Sequence, residues 1–319
     1  MSTKSSVRSF IKGYTPEYLI HGMRNAQRAL RRSRLASTKA VFHRAASAPE
    51  FLGMADLESL QSRYSPLPEY GYDAGRTERR GFQRAKEILR VPSISSAKTT
   101  LELSCWDGMV SHTLKRQGKI ATAIDIRSNG IDERAIRGGV RFLEMDAENL
   151  QFPEESFDFI FSYDAFEHFA HPDLVFNDAF RVLKPGGHLL LSFGPLYMSP
   201  FGQHAYRTIT VPYSHLLFSR PMLNEFAEAR GLEPVDFGHV NGWLATDYRR
   251  IWESHSSTLR LVRYNESFNT DHLDLIQTYP SCFRSKTDYF DNLVIETIKA
   301  VFEKMPRKVY YEQRIRFSS

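Results

Sequence analysis

Two aspartates and one small-residue loop are spaced as a nucleotide-like ligand requires. LELSCWDG, Leu101 to Gly108, reads as a strand ending near Ser104, a tight loop, and a helix opening near Gly108. Small residues there let the backbone approach a ligand, and helix N-terminal amides hold a carboxylate. The next apolar run, GKIATAIDIR, ends in Asp125, about 20 positions beyond the loop, where a carboxylate accepts both hydroxyls of a ribose. A third run ends in Asp146, within FLEMDAENLQFPEESFD. Taken singly, either aspartate is an ordinary strand-end turn residue, and a degenerate Gly loop is a weak signal. Together, in order, at successive strand ends, they mark a ligand crevice.

The elements that must position these residues follow from pattern. TTLELS, ATAIDI, VRFLEMD, FDFIFSYD and HLLLSF are short apolar runs, with helical stretches near Met109–Gln117, Ile131–Arg137 and Leu174–Leu183. Alternating strand and helix predicts an α/β fold, a doubly wound Rossmann-like sheet. A helix from about Thr77 to Arg90, stopped by Pro92, precedes it. SRYSPLPEYGYDAG, Ser62 to Gly75, is rich in turn formers and reads as a surface linker. After Phe193 the chain is dense in aromatics, histidines and prolines without a clean period, which reads as an inserted cap. A helix around Asp247–Glu253, a strand around Leu259–Tyr264 and the run Asn292–Lys304 then resume the pattern; the last permits strand or helix. The expected division is a basic helical arm and linker (1–76), an α/β core (77–194), a cap (195–246), the remainder of the core (247–305) and a tail (306–319).

Composition narrows the class. The chain has 319 residues, 42 % hydrophobic and 25 % charged, enough for one large α/β domain with extensions. Cys105 and Cys282 are its only cysteines, and neither a CxxC nor a Cys/His cluster at zinc spacing is present, so free thiols in a reducing, cytoplasmic setting are expected and no metal is assigned. No apolar stretch approaches the roughly 20 residues that span a bilayer, and the start lacks the apolar region of a secretory signal. The net charge of +5 is concentrated at the front. Lys4, Arg8, Lys12, Arg24, Arg28, Arg31, Arg32, Arg34, Lys39 and Arg44 face Glu17 alone between Met1 and Pro49. Leu19, Ile20, Met23, Gln27, Leu30 and Arg34 fall at helical steps, and Pro16 after Thr15 suits a helix start. Residues 15–45 therefore read equally as a peripheral membrane-docking helix or as a solvated helix packed on the catalytic domain; a transit peptide is a third reading.

The stretch Leu101 to Phe193 resembles the class I S-adenosylmethionine (SAM)-dependent methyltransferases, in particular methyltransferase type 11. LELSCWDG is similar to the first motif of that family, an acidic-x-Gly-x-Gly-x-Gly loop. Glu167–His168 and the run Arg181-Val182-Leu183-Lys184-Pro185-Gly186-Gly187 resemble its later motifs, at the usual distances. The resemblance implies a seven-stranded sheet and SAM as cofactor. Glu102 would support the loop and the methionine end of SAM, with Ser104 and Gly108 lining it. Asp125 would hold the ribose and Ile126 the adenine, with Asp146 and Ala147 at the adenine edge. Ser162 to Asp164, including Tyr163, would border the methyl donor. Ser104 and Trp106 stand where the family carries its first and second glycines. Trp106 fits there when its side chain points away from the cofactor or packs along it.

Transfer of a methyl group from a sulfonium depends mainly on in-line placement of donor and acceptor. A hydroxyl acceptor also profits from a general base, most often His. His204 is the first candidate and His168 the second, with His215 behind them, although any single His more often packs or caps. The cap resembles segments of type 11 relatives linked to bacterial cell-surface glycans, in Gly202-Gln203-His204 and Pro212-Tyr213-Ser214-His215-Leu216-Leu217-Phe218. Tyr197, Phe201, Tyr206, Tyr213 and Trp243 are candidates either for stacking on a sugar or for the cap's own core. A small-molecule, sugar or glycolipid acceptor is expected. Competing readings are a catalytically degenerate scaffold on the same fold and a nucleic-acid methyltransferase. The second lacks a recognisable RNA-binding module, and Asp164-Ala165-Phe166 replaces the Asn/Asp-Pro-Pro-aromatic motif of amino-methylating enzymes. A NAD-linked dehydrogenase ranks last, because the loop lacks GxGxxG spacing.

Overall fold

The computed structural model describes residues 17–68, 70–205 and 208–306, with side chains of the first helix from residue 29. The expectations for Lys4, Arg8, Lys12, Thr15, Pro16, Tyr206 and the tail beyond 306, and for the side chains of Leu19, Ile20, Met23 and Gln27, lie outside the described residues. Contacts group the chain into two compact units, one of residues up to Glu50 with Thr270–Phe290, the other of Phe51–Asn269 with residues from Asp291.

The larger unit is built on seven strands: β1 (Thr99–Leu103), β2 (Ile120–Asp125), β3 (Arg141–Glu144), β4 (Phe157–Tyr163), β5 (Leu183–Phe193), β6 (Leu259–Phe268) and β7 (Ile295–Lys304). Their order across the sheet is β3-β2-β1-β4-β5-β7-β6. The first five pair in parallel, and β7 runs antiparallel to both neighbours. This is the doubly wound, Rossmann-like α/β architecture the sequence pattern implies. The order reverses between β1 and β4, and in open α/β sheets the crevice at the carboxyl ends of such strands is where ligands bind.

Strand alternation divides the core between the two faces. Phe159, Phe161 and Tyr163 of β4 pack with Ala85 and Ile88 of the helix Ala74–Leu89 and with Val110 and Leu114 of the helix Met109–Arg116. Ile160 points the other way, into a cluster with Phe176 and Val182 of the helix Pro172–Val182 and with Trp252. Successive side chains on opposite faces require this split. The helix Ala74–Leu89 opens at Asp73, whose side chain accepts the Arg76 N–H, so it starts earlier than the apolar spacing implies. Gly81 lets it sit against the start of the helix Met109–Arg116, since a Cβ there would lie 2.6 Å from the Met109 carbonyl oxygen.

The run after Asn292 resolves into a short helix, Asp291–Val294, and then β7. Within the smaller unit, the helix Glu17–Arg44 buries Thr38 and Phe42 and leaves Leu30, Arg31, Arg32 and Arg34 exposed. Gln277 donates to Thr38 Oγ1 at 2.7 Å, and the Phe42 and Phe290 rings meet edge to face. Among the described residues, no helix is long and apolar enough to cross a membrane.

Candidate active site

The loop that follows β1 runs through the left-handed backbone region three times: φ is 51° at Ser104, 47° at Trp106 and 66° at Gly108. Non-glycine residues there pay a steric cost of roughly 1 kcal/mol each, so the positions keep a glycine-like backbone despite their side chains. The Trp106 ring is turned outward, 44 % exposed, and lies over Gly130, where an added Cβ would sit 2.9 Å from the ring. It also meets Tyr72 at 6.0 Å between ring centroids.

Asp125, at the end of β2, fastens this loop. Its carboxylate accepts the Trp106 N–H at 2.9 Å and the Arg127 N–H at 3.2 Å, and the Ser104 hydroxyl donates to it at 3.5 Å. Two other carboxyls serve the start of the following helix. Asp107 accepts the Met109 N–H, and Glu102 accepts the Ser111 N–H at 3.0 Å. Carboxyls are favoured there by the amides left unpaired at a helix N-terminus. Burial nevertheless pushes the Glu102 carboxyl up to about 8, against the lowering effect of the Ser111 contact.

A cavity of about 570 Å³ opens over these strand ends, a size within the ordinary range for small-molecule sites. Glu102, Ser104, Asp125 and Tyr163 form its wall on the sheet side, with Trp106 and Ile126 at the loops. Opposite stand Tyr70 and Tyr72, from the segment that reads as a surface linker. Arg80 lies 4.5 Å over the Tyr70 ring, and Arg84 lies 4.6 Å over Tyr163. Arg84 pairs with Asp164, to which the Tyr70 hydroxyl also donates at 3.1 Å. The linker is thus a wall of the cavity, held by cation–π contacts and one shared carboxylate.

Beyond Asp164 the edge of the cavity is lined by His168, Asp236 and His239. His168 and His204 have ring centroids 5.0 Å apart, and His239 approaches both, at 4.5 and 5.5 Å. Burial pushes the His204 imidazole down to about 3 and lowers that of His168 as well. His215 does not join them. It is buried beside Tyr197, with Nε2 at 2.5 Å from the Tyr197 carbonyl oxygen.

The family model described as a methyltransferase domain matches residues 101–191, the stretch that supplies the loop, Asp125 and Tyr163. Residues 101–191 are a methyltransferase domain.

This methyltransferase domain is 37 % identical over 99 residues to a phthiotriol/phenolphthiotriol dimycocerosates methyltransferase of Mycobacterium leprae, covering 30 % of this chain and 37 % of that protein. A fatty-acid O-methyltransferase of Mycolicibacterium smegmatis is 32 % identical over 98 residues, covering 29 % and 36 %. The chain therefore matches little more than a third of the length of these two curated relatives. A solved SAM-dependent methyltransferase from Methanosarcina mazei superposes with a TM-score of 0.43 at 18 % identity, covering 65 % of this chain and 92 % of that one.

Of the residues that the family resemblance assigns to the cofactor, Glu102, Ser104, Trp106, Asp125, Ile126 and Tyr163 line the cavity; Gly108, Asp146 and Ala147 do not. Gly108 starts the helix behind the methyltransferase loop, and Ala147 is part of the core. Asp146 is exposed and accepts the Glu148 N–H at 2.9 Å. Tyr213 is a core residue: it is fully buried and donates its hydroxyl to the Leu293 carbonyl, so it offers no face to a sugar. Trp243 packs against the core and Tyr197 against His215, and neither lines the cavity. Tyr70, Tyr72, Arg80, Arg84, Asp236 and His239 were not singled out from sequence. The aromatic pair within YGY was the one available signal; His239 stands in an irregular stretch that offers none.

Proposed function

We propose that this chain is a SAM-dependent methyltransferase acting on a hydroxyl of a small lipid-like or glycan acceptor. The observation that carries this reading is coincidence: the matched methyltransferase segment supplies the strand ends and the loop that line the cavity. The residues present fit the cofactor. The loop holds Ser104 and Trp106 in the left-handed backbone region that glycine adopts freely, and the 6 % exposed Asp125 carboxylate stands at the end of β2. Asp125 would hold the ribose, Ile126 would cover the adenine, and Glu102 and Ser104 would lie toward the methionine end. SAM, when bound, supplies an electrophilic methyl group on its sulfonium.

The chain's own contribution is position and proton handling. Tyr70 and Tyr72 close one side of the cavity and limit water, while Arg84 and Tyr70 hold Asp164. Placement of the acceptor in line with the donor is the main source of rate. His168 and His204 are neutral at pH 7, able to accept the acceptor's proton. With His204 so weakly basic, the greater part of that role falls to His168. The lipid-like acceptor is supported by the names of the two mycobacterial relatives, one of which is a fatty-acid O-methyltransferase.

Calorimetric titration with SAM and with S-adenosylhomocysteine, wild type beside Asp125→Ala, tests the reading. Micromolar binding that the variant loses supports it and leads to an acceptor screen with fatty acyl and glycolipid hydroxyls. Absence of binding to folded wild-type protein sinks it in favour of a scaffold on the same fold.

A further inference from the structure

Three imidazoles converge at the lip of the cavity from separate segments of the larger unit. One follows β4, one follows β5, and one precedes the helix Ala245–Ser254. One ring nitrogen from each of His168, His204 and His239 lies within 4.8 Å of the other two. His168 Nδ1 stands 2.6 Å from the His239 carbonyl oxygen. A carbonyl only accepts, so Nδ1 carries the proton and Nε2 presents its lone pair. By the same argument the 3.3 Å contact between His204 Nε2 and the Pro195 carbonyl leaves the lone pair of His204 on Nδ1. Ligating histidines are held in this way, with the far N–H on a backbone carbonyl that sets tautomer and ring orientation.

A second observation stands beside the cluster. Glu167 is 1 % exposed, and its Oε1 accepts the Gly194 N–H at 3.0 Å while lying 3.9 Å from His168 Nε2. Its Oε2 is buried without a hydrogen-bond partner among the described residues. An unsatisfied buried carboxyl oxygen is costly, and this one belongs to the carboxyl whose other oxygen lies by His168.

We propose that His168, His204 and His239 bind one divalent transition cation, with the Glu167 carboxyl as its neighbouring oxygen donor. Three imidazoles select zinc and its neighbours over magnesium or calcium, which prefer all-oxygen sites. Tetrahedral coordination at about 2.0–2.1 Å sets the nitrogens roughly 3.4 Å apart, a closure that side-chain rotation supplies. Because His168 and His239 also line the cavity, the cation faces the space assigned to the acceptor; it takes the Nε2 lone pair that His168 otherwise offers as a base, and in place of that base would lower the proton affinity of an oxygen bound there.

The test uses the full-length protein without an affinity tag, stripped with a chelator and titrated with Zn²⁺ or Co²⁺ alone. One equivalent should bind at micromolar or tighter affinity, with visible absorption from Co²⁺ in imidazole coordination. His239→Ala, at an exposed position, should weaken binding at least tenfold and leave the thermal midpoint in chelator unchanged. His168→Gln should do the same from a second segment. No uptake, or uptake that both variants leave unaltered, overturns the assignment. SAM binding measured in chelator reports separately on the methyltransferase reading, so either can fail without the other.

Discussion

The Asp125 carboxylate accepts the backbone N–H of Trp106 at 2.9 Å, joining the end of β2 to the loop after β1. One side chain therefore both shapes the loop and presents the carboxylate expected to meet a ribose. Asp125→Ala should weaken SAM binding at least tenfold. Trp106→Gly should keep affinity within about threefold, because glycine adopts the left-handed backbone without strain and the ring is turned outward. Parallel calorimetric titrations check the pair; a larger loss in Trp106→Gly would mean that the indole itself holds the cofactor.

Glu102 predicts a loss of stability on the alkaline side. Burial raises its carboxyl to about 8, above the unfolded value near 4.3. The folded state thus binds the proton more tightly, and the associated stability, full below the unfolded value, is lost as pH rises through about 8. Glu102→Gln removes that dependence. Its thermal midpoint should gain on wild type between pH 7 and 9, by an amount on the order of 1 kcal/mol in stability. Parallel melting curves of the two proteins across that range would contradict this.

Asp158 carries the opposite sign. Burial opposes its ionisation, but Lys184 and the donors of Thr99 and Lys98 outweigh it and lower the carboxyl well below its usual range. The Lys98 and Thr99 N–H groups donate to it at 2.9 and 2.8 Å, and Lys184 Nζ lies at 2.7 Å. Its stabilisation is present above pH 4 and fades as pH falls toward the lowered value. Asp158→Ala should cost about 1–3 kcal/mol at pH 7 in urea unfolding, because the N–H donors at the start of β1 lose their acceptor. The deficit relative to wild type should shrink in acid.

Gly81→Ala should be disruptive although alanine is the better helix former. Its Cβ would meet the Met109 carbonyl oxygen at 2.6 Å, and separating the two helices costs about 1–3 kcal/mol. The same shift moves Arg80 and Arg84, so SAM binding should weaken together with the thermal midpoint. An alanine variant as stable as wild type would rule out the close approach.

The alternation of apolar runs and helical stretches determined the α/β class. The alternation of β4 side chains between two buried faces follows from local chain geometry alone. The sheet-side wall of the cavity was legible for the same reason: Glu102, Ser104, Asp125 and Tyr163 sit at or just past strand ends, and parallel strands bring their carboxyl ends to one edge. The strand order, and the antiparallel β7 between β5 and β6, rest on pairings between distant segments that leave no trace in local periodicity.

What only the tertiary structure decided lies on the other side of the cavity. Tyr70 and Tyr72 look like parts of a surface linker until Arg80 and Arg84, one helical turn apart on the next helix, draw them over the strand ends. Tyr213 is an apparent sugar platform in sequence, yet its hydroxyl is committed to the Leu293 carbonyl 80 residues away. His168, His204 and His239 have no common spacing, and their convergence depends on how three irregular segments fold over one edge. Local sequence determines which residues begin and end an element. Contacts among loops depend on the packing of the whole chain, and that is where this site was completed.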